Sequence, residues 1–343
     1  MKKYLNKVVR KDNKENKNLF KVVLSQNERN LKLPDTLFKS FISSIKQKDI
    51  FFYPDISKLK LKLAKFLGVR QYNLLLTPGS DIGIKTVFES FELKGKNIIT
   101  SNYCFPMYSV YADLYQTTIK KVRYTNRGLN FRWLLDKVDK DTQFIIIANP
   151  NSPLGDYYSF DQIKILLETG IHVIVDEAYI ELTDKKSLAN KVKEYDNLTV
   201  LRTFSKGYGA AGCRVGYVIS NKSNIDIYNK FRFMYEISGI SSKYCEFILD
   251  NIVYFNRYTE KTYEGKKHLV SKLINKGFKI IDTDSSWFFL KYNQEIEGLF
   301  KKNKVSFKTL THFSDNLKYI KFNYDLELKN TNLINDLLNV HTI

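Results

Sequence analysis

The sequence predicts an α/β protein: a large domain built on a mostly parallel sheet covered by helices, joined to a smaller α+β domain. Three observations carry that expectation. Short runs rich in Ile, Val and Leu recur at 73–77, 97–100, 144–148, 173–175 and 199–201. Their apolar residues are consecutive rather than alternating, so both faces are apolar, as in strands buried on both sides. Stretches with helical spacing lie between them, and beyond about residue 221 the texture changes to long helical segments followed by further strands.

Taken in order, Leu59 to Leu67 carries apolar residues at helical spacing and stops at Gly68, a C-cap candidate. Asn73–Thr77 reads as a buried strand, after which Gly79-Ser80-Asp81 opens a helix running to Phe91. The strands at 97–100, 144–148, 173–175 and 199–201 follow, with a helix over Asp161–Glu168 among the connections. One long helix is expected over Ile225–Tyr254, then a basic helix, strands at 279–281, 287–291, 305–308 and 319–323, and a closing helix around 333–338. The expected organisation is an N-terminal segment, 1–45, folded back over the small domain and the site; a large domain, 46–222; and a small domain, 223–343.

Composition narrows the function classes. With 343 residues, 43% of them apolar and 14% aromatic, the chain can bury a sizeable core, which excludes wholesale disorder. No apolar run reaches the ~18–20 residues a membrane helix needs. The basic N-terminus lacks the apolar stretch of a secretory signal. Cys104, Cys213 and Cys245 are an odd number without metal-ligand spacing, so a cytoplasmic protein with no metal site is expected. Lys plus Arg (55) exceed Asp plus Glu (36), a net charge of +19. The basic residues are spread along the chain with no arginine-rich arm and no aromatic–basic motif. Neither nucleic acid nor membrane is therefore expected as a partner, and anionic small molecules are the simpler use of the charge.

The residues that carry chemistry stand where strands end, the edge at which open α/β sheets bind ligands. Thr77-Pro78-Gly79-Ser80-Asp81 turns a strand into a helix N-terminus, which offers backbone N–H groups to an anion. Taken alone, it reads first as an ordinary strand–helix turn. Ala148 to Gly155, with Asn149-Pro150-Asn151-Ser152-Pro153, is a stiff polar turn after an apolar strand. Asp176-Glu177-Ala178-Tyr179 places a carboxylate at the end of a fully apolar strand, where it needs a cation or hydrogen bonds. Arg202-Thr203-Phe204-Ser205-Lys206 ends the next strand, followed by small residues and, eight positions on, Arg214. A lysine in that setting suits an amine nucleophile beside a phosphate pocket, or else a solvated loop lysine.

As a set, in this order and spacing, these stretches resemble the fold-type I pyridoxal-phosphate (PLP) enzymes, and most closely the histidinol-phosphate aminotransferase family with its threonine-phosphate decarboxylase relatives. The resemblance runs from about Val22 to the C-terminus. It implies a seven-stranded-type sheet in the large domain and pyridoxal 5'-phosphate as cofactor, carried by Lys206 as a Schiff base. It implies that Asp176 pairs with the ring nitrogen, that Asn151 and Tyr179 reach the ring's phenolic oxygen, and that Phe105 stacks on the ring. The phosphate then falls to the backbone of Ser80 and Asp81 with Thr203, Ser205 and Arg214. Tyr53, in Tyr53-Pro54-Asp55, is implied to reach the phosphate of a neighbouring subunit, which makes a homodimer the expected assembly.

The sequence departs from the family where substrate anions are held. Lys308 and Lys321 stand at the two positions where the family has arginines. A lysine keeps the charge but loses the planar fork that grips a carboxylate with two bonds. Arg29, after Asn27-Glu28, is a candidate replacement guanidinium, and an exposed loop arginine is the plain alternative. The expected activity is a class I/II aminotransferase acting on a small anionic amine, amino acid or keto compound, a phosphorylated one first of all. The alternative is a decarboxylase of a phosphorylated amino acid of the threonine-phosphate or serine-phosphate type.

Overall fold

A computed structural model describes residues 5, 8, 9, 17–125, 128–312 and 315–340. The chain starts with a two-residue strand β1 (Val22–Val23), then helices α1 (Asp35–Ser44), α2 (Lys48–Phe51) and α3 (Ser57–Leu67). Helix α3 ends where expected: Gly68 takes φ +66°, and its N–H closes on the carbonyl of Lys65. Strand β2 (Leu74–Thr77) leads into α4 (Gly79–Glu89), followed by β3 (Asn97–Ser101), α5 (Pro106–Leu114) and β4 (Thr118–Val122). A small hairpin, β5 (Tyr124–Thr125) and β6 (Gly128–Leu129), and α6 (Phe131–Leu135) precede β7 (Thr142–Ala148). Then come α7 (Phe160–Leu167), β8 (His172–Asp176), β9 (Leu198–Thr203) and β10 (Gly216–Ser220).

These strands form a seven-stranded sheet in the order β2-β10-β9-β8-β7-β3-β4. All neighbours run parallel except β10, which is antiparallel to both β2 and β9. The apolar runs are the interior of this sheet: Ile145, Ile146, Val173, Ile174, Val175 and Val200 are fully buried, with helices on both faces. Two strands of this sheet escaped the sequence reading, as did the short β1, β5 and β6 outside it. Strand β4 is a half-polar edge (Thr-Ile-Lys-Lys-Val), and β10 follows the glycine-rich loop without a turn signal of its own.

The helix expected over 225–254 is broken. Helix α8 (Lys222–Tyr228) ends early, and α9 (Gly239–Asp250) restarts after Ser238, whose hydroxyl accepts the Ser241 N–H as an N-cap. Asn251 separates α9 from α10 (Ile252–Asn275), the basic helix. The small sheet is antiparallel, made of β11 (Ile280–Ile281), β12 (Trp287–Lys291), β14 (Lys308–Thr311) and β15 (Lys318–Asn323), in the order β11-β12-β15-β14. Helices α11 (Gln294–Lys302) and α12 (Leu333–Leu338) cover it, and Phe288, Leu290, Ile320 and Phe322 pack beneath them. The single strand expected over 305–308 is two: β13 (Val305–Ser306) leaves the small sheet and pairs in parallel with β1. Strand β1 thus ties the N-terminal segment to the small sheet's flank, and Asn30 N–H, bonded to Asp325 at 3.0 Å, fastens its other end. Among the described residues, no helix is long and apolar enough to cross a membrane.

Candidate active site

Strands β2, β7, β8 and β9 point their C-terminal ends the same way, and Thr77, Ala148, Asp176 and Thr203 are their last residues. The loops that leave those ends enclose a cavity of about 810 Å³. Of the residues singled out in the sequence, Arg29, Ser80, Asp81, Phe105, Asp176, Tyr179, Thr203, Ser205, Lys206 and Arg214 line it. They come from five separate stretches of chain, so only the fold brings them together.

One end of the cavity is an anion cradle at the N-terminus of α4. Two glycines let it form. A Cβ on Gly216 would fall 2.3 Å from the Ser80 nitrogen, and one on Gly79, itself at φ +79°, 2.6 Å from Arg214 Nη2. Arg214 takes the left-handed conformation (φ +53°) that turns its guanidinium inward, where Nη1 lies 3.4 Å from Ser205 Oγ and 3.2 Å from the Ala211 carbonyl. Thr203 shapes the loop instead: its hydroxyl accepts the Ser205 N–H at 3.1 Å and donates to the Val215 carbonyl at 3.3 Å.

At the centre lies Asp176, 5% exposed. The cation that a buried carboxylate calls for is absent from its hydrogen bonds. Instead Oδ2 accepts the Tyr108 hydroxyl at 2.8 Å and Oδ1 the Ala178 N–H at 3.1 Å. Burial pushes its carboxyl up to about 6, while those two bonds pull it back. Phe105, half-buried, is the N-cap of α5 and meets Tyr108 edge-on at 5.8 Å. Lys206 reaches into the cavity, 5.6 Å from the centre of the Tyr179 ring, and donates to the Gln26 carbonyl at 2.9 Å. Tyr179 is braced edge-on by Trp287 at 5.2 Å. Asn151 stands behind the cavity wall, with Nδ2 bonded to the Tyr103 carbonyl at 2.8 Å and Oδ1 accepting the Leu154 N–H at 3.2 Å.

The anion-binding candidates separate. Lys308 and Lys321 are direct partners across β14 and β15. Lys308 is exposed, whereas Lys321 is 9% exposed, with Nζ 4.1 Å over the Trp287 ring and 3.4 Å from Asn27 Oδ1. Burial, with Lys206 and Lys308 as neighbouring charges, pushes its ammonium down to about 7. No carboxylate among the described residues forms an ion pair with it. Arg29 has turned to the aromatic face of α10: its guanidinium lies 4.0 Å over the Tyr258 ring, Nη2 donates to Tyr254 at 2.9 Å and Nε to the Leu31 carbonyl at 2.8 Å. Tyr53 lies elsewhere on the surface, 77% exposed and stacked on Tyr235 at 4.1 Å.

Three contacts were missed by sequence reasoning. Tyr108 follows Phe105 by three residues, a spacing that puts both on one face of a helix and was a readable signal. Gln26 contributes only its carbonyl, for which no residue pattern exists. Glu28 stood in the Asn27-Glu28 segment read from the sequence, but its partner on the cavity rim, Lys17 at 2.5 Å, is remote from any motif.

The arrangement offers a lysine amine, a buried carboxylate, an aromatic ring and an anion cradle around one space. That is the donor set of a pyridine ring bearing a phosphate, and the comparisons agree. The family model for aminotransferase class I and II matches residues 20–311, and the chain belongs to that family. Its cofactor is pyridoxal 5'-phosphate, which the cradle and Asp176 fit.

Among relatives, the chain is 30% identical over 260 residues to a histidinol-phosphate aminotransferase of Christiangramia forsetii, covering 72% of this chain and 74% of the relative. It is 29% identical over 286 residues to that of Francisella philomiragia, covering 80% and 79%. In fold it resembles the histidinol-phosphate aminotransferase of Sinorhizobium meliloti in complex with pyridoxal-5'-phosphate (TM-score 0.80, 18% identity, 93% of this chain and 89% of that one). It also resembles the L-threonine-O-3-phosphate decarboxylase of Porphyromonas gingivalis (TM-score 0.76, 20% identity, 92% and 98%).

Proposed function

We propose that the chain transfers an amino group between a small phosphorylated amino compound and a keto acid. The observation that carries this reading is the convergence of Lys206, Asp176, Tyr179 and the Ser80–Ser205–Arg214 cradle on one cavity. The cofactor supplies an electron sink for the substrate carbon. The chain's part is to hold and place. The Ser80 and Asp81 backbone, Ser205 and Arg214 hold the phosphate, with Thr203 shaping their loop. Asp176 would pair with the ring nitrogen and stabilise positive charge there, Phe105 would cover one ring face and Tyr179 would serve the side of the phenolic oxygen. Asn151, behind the wall and bonded to Tyr103 and Leu154, would reach that oxygen only by giving up the Tyr103 bond. Lys206 carries the cofactor and moves the proton at the substrate carbon.

Lys321 and Lys308 are the substrate's anion site in this reading, with Arg29 clamping the segment 25–29 that closes over it. A buried ammonium with two further lysines near it and no acid paired to it favours a ligand that brings negative charge. The division into a covering segment 1–45, a cofactor domain 46–222 and a small domain 223–343 belongs to the same proposal. So do a cytoplasmic location and a homodimer in which Tyr53 serves the partner's site. Ile50, Phe51, Phe52 and Tyr53, together with Phe233, Met234 and Tyr235, expose apolar surface that an isolated protomer would leave in water.

Decarboxylation of a phosphorylated amino acid is the alternative on the same cradle. The test is product analysis across phosphorylated and carboxylated amines, histidinol phosphate among them, with and without 2-oxoglutarate. Consumption of the keto acid in step with the amine supports the proposal. Release of carbon dioxide independent of keto acid replaces it with the alternative.

A further inference from the structure

Tyr108 has no role in the reading above, yet among the described residues it is the one side chain that donates a hydrogen bond to Asp176. It is fully buried, sits in the first turn of α5, and places its hydroxyl 2.8 Å from Asp176 Oδ2. Its ring is fixed by Phe105, edge-on at 5.8 Å, and Phe105 is itself a wall of the cavity. The other carboxylate oxygen is held by the Ala178 N–H. A carboxylate with one donor on each oxygen cannot swing about its Cβ–Cγ bond without losing one of them, so its remaining lone pairs keep one direction. Core packing alone would not require the hydroxyl, since Phe fills nearly the same volume.

We propose that Tyr108 is a positioning residue that aims Asp176 at the cofactor ring nitrogen and keeps it an acceptor. The inference rests on the reading of Asp176 as the ring-nitrogen partner. Burial pushes the tyrosine hydroxyl well above its ordinary range, with Asp176 adding to the shift and Cys104 and Tyr179 as further neighbours. The hydroxyl is thereby held in its donating form. On the other side, Asp81 is the charged group that faces Asp176 and disfavours its ionised form. Without the Tyr108 hydroxyl the carboxylate loses a donor in a buried position, so its charge, and with it a protonated ring nitrogen, becomes harder to keep.

The test uses holoenzyme reconstituted with cofactor labelled with ¹⁵N in the ring, whose nitrogen shift reports protonation directly and independently of turnover. In Tyr108→Phe the ring-nitrogen midpoint should fall by about one to two pH units, the equivalent of one charge-assisted hydrogen bond. Replacing Tyr108 by 3-fluorotyrosine, a stronger donor of almost the same shape, should move the midpoint the other way. Thermal melting of both proteins verifies that the fold persists, and the fluorinated protein serves should Tyr108→Phe not fold. Asp176→Asn is the reference. If it collapses ring-nitrogen protonation while the Tyr108 replacements leave the midpoint unchanged, Tyr108 is packing only and the proposal is overturned. If Asp176→Asn also changes nothing, the reading of Asp176 has failed and takes the proposal with it.

Discussion

Lys321 concentrates what a single residue can do here. Its ammonium is buried over Trp287, and burial lowers it from 10.5 to about 7, so its charge is present below about pH 7 and fades above. Between about 7 and 10.5 the unfolded chain holds a proton that the folded one has released. This group therefore makes the ligand-free protein gain stability as pH rises through that window. Anion binding runs the opposite way. For an anionic donor, kcat/KM should fall by about tenfold per pH unit above neutrality, and Lys321→Arg should remove that limb because a guanidinium stays charged. A pH profile shared by wild type and Lys321→Arg would place the limb elsewhere. Asp176 was legible in the sequence as the first carboxylate after an apolar run. The burial of Lys321 was not, because a lysine in a strand reads as solvent-facing until Trp287 and Asn27, remote in sequence, are seen against its ammonium.

At the scale of elements, the cradle depends on how closely β10 approaches the start of α4. Gly216→Ala would drive a methyl group into the Ser80 nitrogen, so cofactor affinity should fall at least tenfold and stability by about 1–3 kcal/mol. Equilibrium dialysis against pyridoxal phosphate and a melting curve measure both, and an unchanged affinity would remove α4 from the cofactor site. The segment 25–29 is pinned differently, by Arg29 in the aromatic face of α10. Arg29→Ala should raise KM more than it lowers cofactor affinity, since it frees the cover and leaves the cradle intact. The strands β7, β8 and β9 were readable because burial on both faces demands unbroken apolar runs. The break before α9 was not: Phe233, Met234 and Tyr235 continue the apolar pattern of a helix but face outward. Periodicity cannot tell an apolar residue that packs inside from one that waits on the surface.

That outward-facing apolar surface belongs to the scale of the whole molecule. With Ile50 to Tyr53 it forms a region too apolar for an isolated protomer, so the protein should sediment as a dimer at micromolar concentration. Phe51→Asp with Met234→Asp should yield monomers that bind pyridoxal phosphate weakly. Fully loaded, active monomers would separate assembly from the site.

The central claim is that Lys206 carries the cofactor in this fold. Borohydride reduction of the protein loaded with pyridoxal phosphate, followed by peptide mapping, tests it most directly. The account predicts a single reduced adduct on Lys206 and loss of the visible band in Lys206→Ala. An adduct on Lys321 or any other lysine would contradict it.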